Sequence, residues 1–130
     1  MPPPDRKVIE EWFAYGQEDF DCGALLTDLG KFPAQAMERF QQAAEKYLKG
    51  FLLSRGWALV KTHDVVSLLD EAIKQNTAFA RFEKLAEALT ERYVEQRYPG
   101  EAEREVTVEE ARQHRAEVAE LIALIRSLTP

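Results

Sequence analysis

The stretch Met37-Glu38-Arg39-Phe40-Gln41-Gln42-Ala43-Ala44-Glu45-Lys46-Tyr47-Leu48-Lys49-Gly50-Phe51 decides how the chain is read. Met37, Phe40, Ala44, Tyr47, Leu48 and Phe51 recur at three- and four-residue spacing, the period of one face of an α-helix. Arg39, Gln42, Lys46 and Lys49 fall mostly off that stripe. Phe32-Pro33 opens the segment, with proline suited to a first helical turn. Gly56 closes it. A long amphipathic helix centred on Gln41 to Lys46 is therefore the expected spine of the fold.

The flanking sequence repeats the helical signal. Upstream, Asp5 is a candidate N-cap. Ile9, Trp12, Phe13, Gly16, Phe20 and Gly23 then follow at helical spacing to about Leu29, before Gly30. Downstream, Trp57-Ala58-Leu59-Val60 is apolar but has no partner strand, so it reads as a loop. Thr62 is the expected N-cap of a third helix, with Asp64 in its first turn and Val65, Leu68, Leu69, Ala72 and Ile73 on its buried face. Gln75-Asn76-Thr77 breaks that helix. A fourth carries Phe79, Phe82, Leu85, Ala86, Leu89 and Tyr93, and Pro99 ends it near Arg97. A charged loop spans 101–105. Thr107 and Glu110 have the spacing of a capping box ahead of a last helix with Ala111, Val118, Leu121, Ile122 and Ile125. No segment alternates with period two. The expected fold is all-α: an up-and-down four-helix bundle with an additional fifth helix, one domain over 1–130 with its core at about 5–127.

Composition narrows the function classes. A chain of 130 residues that is 45% hydrophobic can bury a core without metal or disulfide. One cysteine, Cys22, permits no intrachain bridge and fits a reducing cytoplasm. Its neighbours supply no base, so it reads as a packing cysteine. No apolar run approaches the roughly 20 residues of a membrane span, and the expected location is cytoplasmic. The net charge of −6 disfavours bulk nucleic-acid coating.

Motif chemistry is sparse. His63 and His114 lie far apart, Glu110 and His114 are one residue off a Glu-x-x-His pair, and no metal or cofactor is called for. Glycine-rich phosphate loops are absent. Two clusters remain. Lys46, Lys49, Arg55, Lys61 and His63 gather around the second and third helices, and Tyr93, Arg97 and Tyr98 end the fourth. The structural account of the first is ordinary: Glu45 and Lys49 form an i,i+4 pair, worth a few tenths of a kcal/mol on a helix surface.

These residues resemble a known family. Trp12 and Asp19, the run from Phe40 to Lys49, Gly56, Thr62-His63-Asp64-Val65 with Leu68-Leu69, and Tyr93 with Arg97-Tyr98-Pro99 follow the order and spacing of the HEPN domain over about 5–125. The resemblance implies a helical bundle that is commonly homodimeric and often partners a minimal nucleotidyltransferase, as a toxin–antitoxin or substrate-binding pair. It also implies nucleotide binding in some members and, in others, metal-independent ribonuclease activity from an Arg-x(4–6)-His motif. That motif is missing: Arg55 and His63 have seven residues between them, Arg104 and His114 nine, Arg97 and His114 sixteen, and Arg112 and His114 one. The expectation is a non-catalytic module. It would bind a nucleotide or phosphorylated ligand near Lys46, Lys49, His63, Tyr93 and Arg97, lysine and arginine meeting phosphate and a tyrosine stacking on a base. A ribonuclease with an atypical Arg/His pair and a protein-only dimerisation module are the alternatives.

Overall fold

A computed structural model describes residues 5–57, 64–97 and 105–129, with 91–97 as backbone. Among them are five α-helices: α1 (Arg6–Leu29), α2 (Pro33–Ser54), α3 (Val65–Gln75), α4 (Glu83–Arg97) and α5 (Val108–Leu128). A 3₁₀ helix, Thr77–Phe82, leads into α4. The fold is the expected all-α bundle, and no strand occurs among the described residues.

The helix ends follow local chemistry. The Asp5 carboxylate accepts from the Lys7 and Val8 amides and starts α1. Gly30 ends it at φ 67°, its amide donating to the Thr27 carbonyl while the Lys31 amide reaches Leu26. That pairing is the Schellman stop, and its left-handed residue favours glycine. Thr107 accepts from the Glu110 amide at 3.1 Å and starts α5.

Two boundaries differ from the expectation. The cap of α3 is Asp64, which accepts from the Val66 and Ser67 amides at 3.0 and 3.3 Å and from the Ser67 hydroxyl at 2.7 Å. Thr62, the expected cap, lies outside the described residues. An ionised carboxylate serves several donors at once, which makes Asp64 the stronger stop. Phe79 and Phe82 stand in the 3₁₀ helix rather than in α4, because the Asn76 side chain accepts from the Ala78 amide and starts a tighter turn there. Both phenylalanines still reach the core.

The spine is α2, but it is more than amphipathic. It packs against α1, α3, α4 and α5. Burial therefore runs around its circumference, taking in Gln41, Glu45 and Lys49 as well as the predicted stripe. Its tightest partner is α1. Ile9, Phe13, Gly16, Phe20, Gly23 and Thr27 form a seam at alternating four- and three-residue steps facing α2. Gly16 and Gly23 sit where bulky α2 side chains cross: a Cβ on Gly23 would lie 2.7 Å from the Phe40 ring, and one on Gly16 would lie 2.8 Å from the Tyr47 ring. Phe13 and Tyr47 stack with centroids 5.1 Å apart. Glycine in a helix costs about 1 kcal/mol against alanine, and here it permits close approach. No described helix is long and apolar enough to cross a membrane.

Candidate functional site

A charged layer lines the junction of α1 and α2. Asp19 is buried in α1. Its two oxygens accept from Arg39 Nη1, at 3.1 Å, and from Lys46 Nζ. Arg39 and Lys46 are seven residues apart on α2, two turns, so both lean toward the same point on α1. One carboxylate meets two cations. The pairs remain partly exposed at Arg39 and Lys46, with 46% and 28% of the side-chain surface accessible.

A second pair lies deeper. Lys49 Nζ donates to Glu45 Oε2 at 2.8 Å, with both side chains less than a tenth exposed. The Lys49 ammonium also stands 5.4 Å from the Trp12 ring centroid, a cation–π contact. The i,i+4 pair read as an ordinary surface feature is thus a buried one, because α1 covers that side of α2. Burial raises the stakes: a desolvated ion pair is costly to break.

Lys46 and Lys49 share the α1-facing side of α2, and each already holds a carboxylate. Tyr93 and Arg97 belong to the last part of α4, which packs on α2, α3 and α5 and makes no contact with α1 among the described residues. His63 and Lys61 lie outside the described residues. Arg55 lies over the Phe51 ring, its guanidinium 5.1 Å from the centroid. His114, on α5, donates from Nδ1 to the Glu110 carbonyl at 2.8 Å. Of the five expected ligand residues, only Lys46 and Lys49 have described side chains.

Tyr47 closes the layer toward α5. Its hydroxyl donates to Gln17 Oε1 at 2.6 Å. Burial pushes its pKa above the usual 10.0, against the neighbouring Arg126 guanidinium, which pulls it down. In the unfolded chain the phenol ionises near its ordinary value, whereas the folded protein retains the proton. The contribution is complete below about pH 10 and is lost as pH rises through the folded pKa. Tyr47→Phe should cost about 1 kcal/mol at neutral pH, through the lost hydrogen bond. The variant should also lose less stability than the parent between neutrality and strongly alkaline pH, as urea denaturation at a series of pH values would measure.

A second seam on α1 escaped the sequence reading. Val8, Trp12, Tyr15, Cys22, Leu26 and Leu29 follow the same four- and three-residue steps, one residue out of phase with the core seam, with Asp19 at the midpoint. Val8, Tyr15, Cys22 and Leu29 of this seam are exposed, Trp12 and Leu26 are half-buried, and Asp19 is buried. Leu25, Leu29 and Phe32 are about three-fifths exposed and Tyr15 is 56% exposed. Val8, Trp12 and Tyr15 line a shallow pocket with Glu11. Cys22, expected to pack inside, is exposed on this face, because its position follows the outer seam and not the inner one. Phe32 adds strain: it holds φ 52° and ψ 52° with its ring in solvent and no side-chain cap bond. A bulky residue in that region is an outlier. The signal was present in the sequence, since the apolar arc of α1 is too wide for one neighbour.

The model of the HEPN domain matches residues 9–128. This chain belongs to the HEPN family. The crystal structure of TT1696 from Thermus thermophilus superposes on the HEPN domain with a TM-score of 0.80, at 23% sequence identity, over 92% of this chain and 96% of that one. At that identity the likeness establishes the fold. No protein of curated function matches the sequence significantly.

Proposed function

We propose that this HEPN domain is a non-catalytic docking module that works as a homodimer, with the outer seam of α1 as its pairing surface. The observation that carries the reading is the exposed apolar surface at both ends of the 24-residue α1, Val8 and Tyr15 at one and Leu25, Leu29 and Phe32 at the other, with the neutralised Asp19 between them. Such a helix is roughly 36 Å long, and five exposed large hydrophobics on and just beyond it are more than scattered surface hydrophobics supply. The seam suits an isologous contact. A second copy laid antiparallel sets the Val8–Trp12 end of one protomer against the Leu25–Leu29 end of the other, with both Asp19 residues near the axis. Arg39 and Lys46 neutralise those carboxylates, which removes the repulsion that would oppose pairing. The non-catalytic part rests on the missing Arg-x(4–6)-His spacing.

The phosphorylated ligand expected at Lys46, Lys49, His63, Tyr93 and Arg97 enters this reading in narrower form. Lys46 and Arg39, two partly exposed cations on one carboxylate, leave a net positive charge beside the seam. Lys49 serves as buried support beneath Trp12. A minimal nucleotidyltransferase is the hetero-partner that the family resemblance implies.

Light scattering tests the dimer. The wild type should run as a dimer, and Tyr15→Glu with Leu29→Glu should weaken association at least about a hundredfold, since each buries an unpaired charge at the contact. Both positions are more than half exposed, so the variant should keep its helical circular dichroism. A wild type that stays monomeric at high concentration overturns the homodimer. If that monomer instead binds a minimal nucleotidyltransferase and the variant does not, the seam serves a different partner.

A further inference from the structure

A cleft of about 450 Å³ opens at the corner where α1 begins and where α2 and α5 end. Its lining includes neither Lys46 nor any residue of the outer seam. Ile9 and Leu128 supply its apolar lining, Ser54 and Thr129 its hydroxyls, and Arg6 and Arg55 its charge. Glu10 also borders it, but the Glu10 carboxylate already accepts from Arg126 at 3.3 Å.

The charge balance of this corner is unusual for an acidic chain. Among the described side chains, Arg39, Arg81, Arg112, Arg115 and Arg126 each pair with a carboxylate. Arg6 and Arg55 pair with none among those side chains, and both line this one cleft. Arg55 is steadied by the Phe51 ring beneath it, which leaves its donor edge available. Two helix C-termini, those of α2 and α5, reach the same corner, and their terminal carbonyls favour nearby cations. Both guanidinium-bearing residues line the cleft without a described carboxylate paired to them.

The remaining polar groups select the rest of the ligand. The Ser54 hydroxyl donates to the Phe51 carbonyl, and the Thr129 hydroxyl donates to the Ile125 carbonyl at 2.9 Å. Their protons are committed, so their oxygens offer lone pairs to a donor. Planar guanidiniums match the oxygens of a phosphate with paired hydrogen bonds. The volume lies within the usual range for a small-molecule site.

We infer that the Arg6–Arg55 cleft binds a small organic phosphate monoester: a dianionic phosphate on the two guanidiniums and a hydroxyl-bearing body against Ile9, Leu128, Ser54 and Thr129. This site is separate from the docking seam, and dimerisation can fail without affecting it.

The test is calorimetric titration of the full chain with glucose 6-phosphate, adenosine monophosphate, inorganic phosphate and succinate. At least one of the two esters should bind, more tightly than inorganic phosphate and much more tightly than succinate. Arg6→Gln and Arg55→Gln should each weaken binding about tenfold, the range expected for losing hydrogen bonds to a charged group. Lys46→Gln should leave it unchanged. Methyl NMR adds an independent readout: the ester should shift Ile9 and Leu128 and leave Leu25 and Leu29 in place. All four positions of substitution or readout in the cleft lie at helix ends or on its wall, and circular dichroism confirms that each variant folds. No ester binding to the wild type, binding unchanged in the Arg6→Gln/Arg55→Gln double variant, or succinate binding as tightly as the esters would each overturn the assignment.

Discussion

Replacing Lys49 by alanine is expected to destabilise the domain by roughly 3 kcal/mol, the scale for removing one member of a buried ion pair. The Lys49 ammonium lies between the Glu45 carboxylate and the Trp12 ring, with almost no solvent contact. Removing it takes a paired cation from a buried carboxylate and opens space beneath Trp12. Glu45 keeps the Gln41 amide within reach, at 3.5 Å, a poor substitute for a charge. Urea denaturation measures the effect as a lower midpoint at unchanged slope. Two controls sharpen it. Lys46→Ala should cost only about 1 kcal/mol, because Lys46 is partly exposed and Asp19 keeps Arg39. Glu45→Gln combined with Lys49→Met should recover much of the loss, since removing both charges is far milder than removing one. A Lys49→Ala variant as stable as the parent would mean that the ammonium is solvated and available to a ligand.

Phe40→Ala should be the most damaging substitution at the α1–α2 contact, at about 3–5 kcal/mol. At roughly 4 °C per kcal/mol for a domain of this size, the melting temperature falls by about 12–20 °C. Phe40 is fully buried, packs at 5.7 Å between centroids on Phe20 and closes over Gly23. Gly23→Ala attacks the same contact from the other side and should cost about 1–3 kcal/mol through overpacking, despite alanine's better helix propensity. The two are expected to be non-additive. Without the Phe40 ring the two tightest contacts of the new methyl are gone and the Ala36 carbonyl stands at 3.1 Å, so the alanine at 23 should be better tolerated. A coupling of about 1 kcal/mol in a double-mutant cycle fits direct contact. Strict additivity would place the two helices farther apart at Gly23.

Much of the architecture was legible because local chemistry and helical period agree. Asp5, Gly30, Pro33, Gly56 and Thr107 mark helix ends through backbone groups a few residues away, and such interactions are written in sequence order. The two boundaries that differ have local causes as well: the Asp64 carboxylate caps α3, and Asn76 starts a 3₁₀ turn before α4. The polar residues of the candidate site were less legible. Lys49 and Lys46 look alike on a helical wheel, and only the position of α1 separates a buried lysine from a half-exposed one. Asp19 gave no sign that it would gather Arg39 and Lys46 from 20 and 27 residues away. Arg6 and Arg55 were unremarkable in sequence, since their shared cleft is made by three helix ends brought to one corner.

The sequence by itself determined the helices, their number and the family, because periodicity, caps and motif order are properties of neighbouring residues. Tertiary structure alone decided which charges α1 would cover and which of the described arginines would be left without a carboxylate. Desolvation and charge pairing depend on what stands across the gap, and that is set by how whole helices pack.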